Sequence, residues 1–219
     1  MRKGWFEMKE YPMVTISRQY GTDGNAIGDR LAKKLGLPFY DKDIIAIASH
    51  ETSYSEKVFD AAEETATTKL GYALANRSNR MVYGMPFNDQ LFMVQSGIIR
   101  TVADRGPAVF VGRCADYVLD GYKPTIKIFL QASLEARIKT VCEREGLQPK
   151  EAETRIRRLD KARATYYNYY TDRKWSDIAN YDLALNVSYL TSEAAAEILA
   201  MFIREVVEKS EMMNSPTAD

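Results

Sequence analysis

The sequence predicts an α/β fold in three layers, a central parallel sheet of about five strands between helices, and three observations carry that prediction. A short β-branched run, Val14-Thr15-Ile16, leads into Gly21, Gly24 and Gly28 and then into Ile27, Leu31, Ala32 and Leu35 at helical spacing. Further apolar runs of strand length recur along the chain, at residues 37–40, 108–111, 125–130 and 181–186. Helical periodicity ending on Gly or Pro fills the intervals, and that alternation is the mark of parallel-sheet architecture. At 219 residues, 46% of them hydrophobic, the chain suits one domain with a substantial core, residues 1–219.

The elements follow in order. Residues 1–10, MRKGWFEMKE, form a polar lead, and strand one follows. Strand, glycine turn, helix is the arrangement of a phosphate-binding turn: glycines let the backbone approach a ligand, and successive N–H groups converge on an anion at the positive end of the helix. The turn departs from the pattern GxxxxGK[ST]. Gly24 or Asn25 stands where the lysine would, and Ala26 or Asn25 where the hydroxyl would. An ordinary strand-to-helix turn is the bland alternative. The helix runs to about Lys34 and stops at Gly36 and Pro38. Asp41 then ends the second strand, placed either to orient a nucleoside hydroxyl or magnesium-bound water, or to cap a helix beginning near Lys42.

Residues 49–90 change character, mixing helical spacing with Gly84 and Pro86, and predict a helical, substrate-binding insertion. Arg77 and Arg80 lie three apart there, able to fork onto one phosphate or to sit on an exposed helix end. A long helix is expected from Asp89, with Asp89 as its cap and Gly106-Pro107 as its stop. After the strand at 108–111 come Gly112 and Arg113, the latter a phosphate ligand or one half of a buried salt bridge. The helix after 125–130 takes Ser133 as its cap. Arg137, Arg144, Arg155, Arg157, Arg158, Lys161 and Arg163 crowd the next stretch. Before Arg155 the glutamates offer i,i+4 partners, as on a solvated face; from Arg157 to Arg163 carboxylates thin out. Then ATYYNYYTDRKWSDIANYD predicts a helix packing Tyr166, Tyr169 and Tyr170 beneath that segment. A helix over 192–208 capped by Ser192 closes the fold, and the tail at 210–219 reads as disordered.

Composition removes several function classes. Thirty Lys+Arg balance thirty Asp+Glu, so no global basic field supports nonspecific nucleic-acid or membrane binding. Two cysteines and one histidine build neither a disulfide framework nor a zinc site, which points to a reducing, cytoplasmic setting and no resident metal. No run of about 18 apolar residues is present to span a membrane.

ISRQYGTDGNAIGDRLAKKLGLPFYDKDII (16–45), QSGIIRTVADRGPAVFVGRCADYVL (95–119) and TYYNYYTDRKWSDIANYDLALN (165–186) together resemble the cytidylate kinase-like family, P-loop relatives of nucleoside monophosphate kinases. The resemblance implies a P-loop NTPase fold with a lid near 143–165, ATP as donor with Mg2+ carried by the nucleotide, and a small-molecule nucleotide acceptor. In a phosphotransferase reading of these residues, Gly21, Thr22, Asp23, Gly24, Asn25 and Ala26 would cradle the donor phosphates and Arg18 would supply the charge of the missing lysine. Arg157, Arg158, Lys161 and Arg163 would close over the transferred phosphoryl group, with Asp41, Arg77, Arg113 and Asp116 on the acceptor side. Cys114 stands where the related kinases carry an aspartate after Gly-Arg, leaving Asp116 as the nearest carboxylate.

Two further classes compete with a phosphotransferase. Loss of the lysine fits a nucleotide-binding sensor with little catalysis, since one charge-stabilising donor is worth about 10²–10³ in rate. A single-stranded nucleic-acid platform built on the tyrosines is disfavoured by the neutral charge. The role of the tyrosine-rich segment, toward substrate or toward a second copy of the chain in a homo-oligomer, stays open at this level.

Overall fold

The computed structural model describes residues 11–41 and 87–214. The expected insertion therefore lies outside the described residues, with Arg77, Arg80 and the helix near Lys42, except for its last four residues, which open the next helix. Strand β1 (Met13–Arg18) feeds helix α1 (Gly24–Leu35), and β2 (Phe39–Tyr40) follows. Helix α2 (Phe87–Ala103) leads into β3 (Val109–Val111) and the short α3 (Ala115–Val118). Strand β4 (Thr125–Gln131) precedes α4 (Leu134–Glu145) and α5 (Pro149–Thr171), and β5 (Leu183–Asn186) precedes α6 (Ser192–Asn214).

The strands form one parallel sheet in the order β2-β3-β1-β4-β5. Strand β1 is central, and the chain builds leftward to β3 and β2, then crosses to β4 and β5. The order therefore switches beside β1, and the crevice outside the carboxyl end of that strand is where ligands bind in open α/β sheets.

Period-two alternation sorts the strand residues onto two faces. Val14, Ile16, Val109, Val111, Ile126, Ile128 and Leu130 point toward α1 and α6, where Ile27, Leu31, Leu199 and Ile203 complete one core. Phe110 points the other way, against Ile98, Ile99 and Val102 of α2 and Leu119 after α3. Phe129 shares that second face with Tyr167, Trp175 and Tyr181. Burying each such side chain contributes about 1.5–3 kcal/mol, so these two faces hold the sheet between its helical layers.

Local signals set most boundaries. Gly36 closes α1 in the left-handed conformation, its N–H returning to Ala32 and Lys33. Ser133 caps α4 by accepting from the Ala136 N–H at 3.2 Å, and Gly146 ends that helix. Three expectations shift. Helix α2 starts at Phe87, so Asp89 sits in its first turn and accepts from the Tyr170 hydroxyl at 3.1 Å instead of capping. Thr191, not Ser192, caps α6, accepting from the Ala194 N–H at 3.1 Å. That helix continues to Asn214, so the tail expected to be disordered is helical in its first five residues.

Candidate active site

The turn between β1 and α1 is shaped by internal contacts. Thr22 Oγ1 donates to the Gln19 carbonyl at 2.9 Å, and Gly21 takes a φ of +85°. A Cβ at Gly21 would lie 3.0 Å from both Cβ and the carbonyl oxygen of Arg137. Glycine is needed there for the close approach of α4. Asp23 begins α1 with a left-handed backbone and makes no side-chain cap; its carboxylate instead pairs with Arg144 at 2.9 Å. The Ile27 N–H bonds the Asp23 carbonyl. The N–H groups of Gly24, Asn25 and Ala26 meet no backbone carbonyl among the described residues. They point out of the positive end of a 12-residue helix, the local geometry that receives anions.

Arg18 threads through this region. Its stem fills the space a Cβ at Gly24 would occupy, with Arg18 Cγ 2.7 Å from that position. Its guanidinium reaches the carboxyl end of β3, where Nη1 lies on the position of a Gly112 Cβ. Arg18 Nη2 donates to Asn25 Oδ1 at 3.3 Å, and Asn25 Nδ2 donates to Asp41 Oδ2 at 2.5 Å. Arg18, Asn25 and Asp41 thus form one hydrogen-bonded chain across the ends of β1, α1 and β2. No lysine stands in this turn; its cation is a guanidinium that arrives from the preceding strand.

Helices α4 and α5 form a hairpin docked on the same turn. Its own small core of Val141, Ala152 and Ile156 receives Tyr20 from the turn. The guanidinium groups of Arg144 and Arg163 stand over the Tyr20 ring at 5.2 and 5.4 Å, and the Tyr20 hydroxyl donates to Glu145. Asp160 accepts from the Tyr20 N–H at 2.7 Å and pairs with the buried Arg137. Arg155 pairs with Glu145 at 2.8 Å. Burial alone would push the Glu145 carboxyl up, but the hydrogen bonds from Tyr20 and Arg144 and the Arg155 charge outweigh it and hold the carboxyl low.

Among the four cations expected on the lid, Arg163 reaches the turn, donating to the Arg18 carbonyl at 2.9 Å. Arg157 pairs with Glu153 one turn away on its own helix, the solvated-face arrangement the sequence reading reserved for residues before Arg155. Arg158 and Lys161 are exposed. The expected lid boundaries also divide differently: Glu143 to Glu145 end α4, and residues 149–165 are the first part of a helix that continues into the core. Tyr20, Arg137 and Asp160 join the site without having been singled out as site residues; the signal available was an aromatic next to Gly21 and an Asp within the arginine run.

On the acceptor side, Gly112, Arg113 and Cys114 take three successive left-handed conformations, with φ of 81°, 57° and 55°. The Gly112 N–H bonds the Ile16 carbonyl, bringing this bend beside β1. Asp116, expected to contact the acceptor, is 3% exposed and accepts from the Tyr167 hydroxyl at 2.7 Å. Burial pushes its carboxyl up, with the Tyr167 hydrogen bond acting the other way. Burial, followed by the Asp116 charge, pushes the Cys114 thiol and the Tyr167 phenol up as well. Tyr167, not Tyr169, is the tyrosine that enters the core, while Tyr169 stays 53% exposed. Tyr170 stacks on Phe92 with ring centroids 4.1 Å apart, and Tyr166 meets Phe92 edge-on.

A parallel sheet of this order, flanked by helices and carrying a glycine turn after its central strand, is the P-loop kinase fold. A shikimate kinase from Bacteroides thetaiotaomicron shares it at a TM-score of 0.52 and 13% identity, over 90% of this chain and 98% of that one. A gluconokinase from Sinorhizobium meliloti does so at 0.52 and 11%, over 94% and 99%. An uncharacterized protein from Eubacterium ventriosum aligns at 0.64 and 23%, over 88% and 98%. The chain belongs to the cytidylate kinase-like family, whose model matches residues 13–189. A cytidylate kinase from Methanopyrus kandleri is 32% identical over 120 residues, which is 51% of this chain and 62% of that protein, less than two thirds of its length. Among the described residues, no helix is long and apolar enough to cross a membrane.

Proposed function

We propose that the protein is a nucleotide-dependent phosphotransferase that moves the terminal phosphoryl group of ATP to a nucleoside monophosphate or a similar small acceptor. The acceptor oxygen attacks the γ-phosphorus as the bond to the bridging oxygen of ADP breaks. The observation that supports this best is the placement of Arg18: a cation in the turn, filling the space left by Gly24 and Gly112, beside the open N–H groups of α1. Catalysis of phosphoryl transfer is mostly positioning and charge stabilisation, which a fixed guanidinium supplies.

In this reading the α1 N–H groups and Arg18 hold the donor phosphates. Arg163 closes the cationic ring from the hairpin, and Arg113 lies on the acceptor side. Among the described residues no three His, Cys, Asp or Glu side chains converge as a metal site. The proposal assigns magnesium to the nucleotide's own phosphates, with Asp41, which accepts from Asn25 Nδ2, placed to orient a water of its shell. The reading is tested by incubating the protein with magnesium, ATP and each of CMP, dCMP, UMP and AMP, and measuring ADP and product. Transfer to at least one acceptor is expected, with Arg18→Ala lowering turnover more than ATP affinity.

A nucleotide sensor with little catalysis is the second reading. It is favoured by Asn25, which is bonded to Arg18 and Asp41 and places an amide where a magnesium-binding hydroxyl would stand. ATP binding with no product from any acceptor, and an Arg18→Ala effect on affinity alone, would select it.

A further inference from the structure

Among the described residues of α2, Gln95 is the buried side chain that its apolar neighbours do not explain. It is 1% exposed, between Leu91 and Ile98, in a row otherwise given to the core. Its Oε1 accepts from the Tyr166 hydroxyl at 3.2 Å, which fixes the amide plane, yet its Nε2 has no hydrogen-bond partner among the described residues. An unpaired buried amide costs about 1–3 kcal/mol, so a leucine in that place would be the cheaper core residue.

The amide lies close to the site. Tyr166 follows Arg163 by three residues on α5, hence on the same face and about 4.5 Å along the axis, and Arg163 touches the Arg18 carbonyl. Helix α2 ends shortly before β3 begins and runs against it. Gln95 therefore stands about 12 Å above the end of the helix, near the level of the carboxyl end of the strand, where Gly112 and Arg113 emerge. Tyr166, which holds the amide, packs edge-on against Phe92 and Tyr170.

We propose that Gln95 is a specificity-determining residue: held by Tyr166, its unpaired amide N–H hydrogen-bonds a carbonyl oxygen on the nucleobase of the acceptor. A neutral donor suits a neutral acceptor atom, whereas the phosphate is left to the arginines. The inference rests on the phosphotransferase reading for the identity of the ligand as a nucleotide. A site that hydrogen-bonds its ligand rejects an analogue lacking that group, because the buried donor is then left unpaired.

Calorimetric titration of the full chain with CMP and with ribose 5-phosphate, which lacks the base, separates the base contact from the phosphate contact. Wild type is expected to bind CMP more tightly. Gln95→Met, of similar length but without the donor, should weaken CMP about tenfold and leave ribose 5-phosphate within about twofold. Gln95→Glu, which keeps the acceptor for Tyr166 but loses the donor, should do the same and serves if the methionine variant fails to fold. Equal changes for both ligands, no change for either, or a wild type that does not distinguish them would overturn the proposal. No step of this test needs turnover. Absence of ADP formation would remove the kinase reading alone, leaving the base contact to stand or fall on the titration.

Discussion

Gly112→Ala tests whether Arg18 is the working cation of the turn. The new Cβ would fall on Arg18 Nη1, closer than any non-bonded pair of heavy atoms sustains, so the guanidinium must leave its place. Being the far end of a flexible side chain, it can do so at small steric cost. The backbone cost is separate: Gly112 has a φ of 81°, and a left-handed alanine costs roughly 1–2 kcal/mol. For a chain of this size that lowers Tm by about 2–8 °C. Displacing the cation should lower turnover about 10²–10³-fold, the loss measured when one charge-stabilising donor is removed. The assay is a double-mutant cycle with Arg18→Ala, reading Tm and turnover for each variant. The stability loss of Gly112→Ala should persist in the Arg18→Ala background, while turnover should fall no further than in Arg18→Ala alone. Wild-type turnover in a folded Gly112→Ala protein, or losses that multiply in the double variant, would refute the reasoning.

Gly28→Ala should destabilise by about 1–3 kcal/mol in urea unfolding even though alanine favours helix by about 1 kcal/mol, because its Cβ would meet Val111 Cγ2 at 2.8 Å and Phe39 Cε2 at 2.9 Å; a gain in stability would show that the strand–helix contact is looser than described. Asp160→Ala removes the partner of the buried Arg137 and of the Tyr20 N–H, and should cost about 3–5 kcal/mol and speed hydrogen exchange across the α4–α5 hairpin; unchanged exchange there would count against the docking network. Glu145 has its carboxyl held low in the folded protein, so the stability it adds is present above the ordinary carboxylate value of about 4.3 and is lost as pH falls through the folded value. Glu145→Gln should therefore flatten the acid limb of a plot of urea midpoint against pH, and an acid limb as steep as wild type would contradict the assignment.

The sequence by itself determined what depends on neighbours in the chain. The strand at Val14-Thr15-Ile16, the glycine turn and the helix behind it follow from β-branching, backbone freedom and apolar spacing. Helix ends at Gly36 and Ser133 were legible for the same reason, since left-handed caps and hydroxyl caps are local chemistry. The family pattern assigned Arg18, Asp41 and Arg113 to the candidate site, but it could not say what their side chains meet.

Tertiary structure alone decided which face of each helix turns inward. Periodicity groups Arg157 with one side of α5 and Tyr167 with another, but only the packing partners select a side. Phe92 collects Tyr166 and Tyr170, Asp116 draws in Tyr167, and Tyr20 draws Arg163 to the turn. Arg157 is left with Glu153, and Tyr169 stays largely exposed at the edge of the Tyr170 ring. The same holds for Gly24 and Gly112, whose need for glycine comes from one arginine passing both, and for the unpaired amide of Gln95. Contacts of this kind join residues that are distant in the chain and adjacent only once β1 lies between β3 and β4. No local propensity encodes them, because the free energy that selects them comes from excluded volume and burial in the assembled layers.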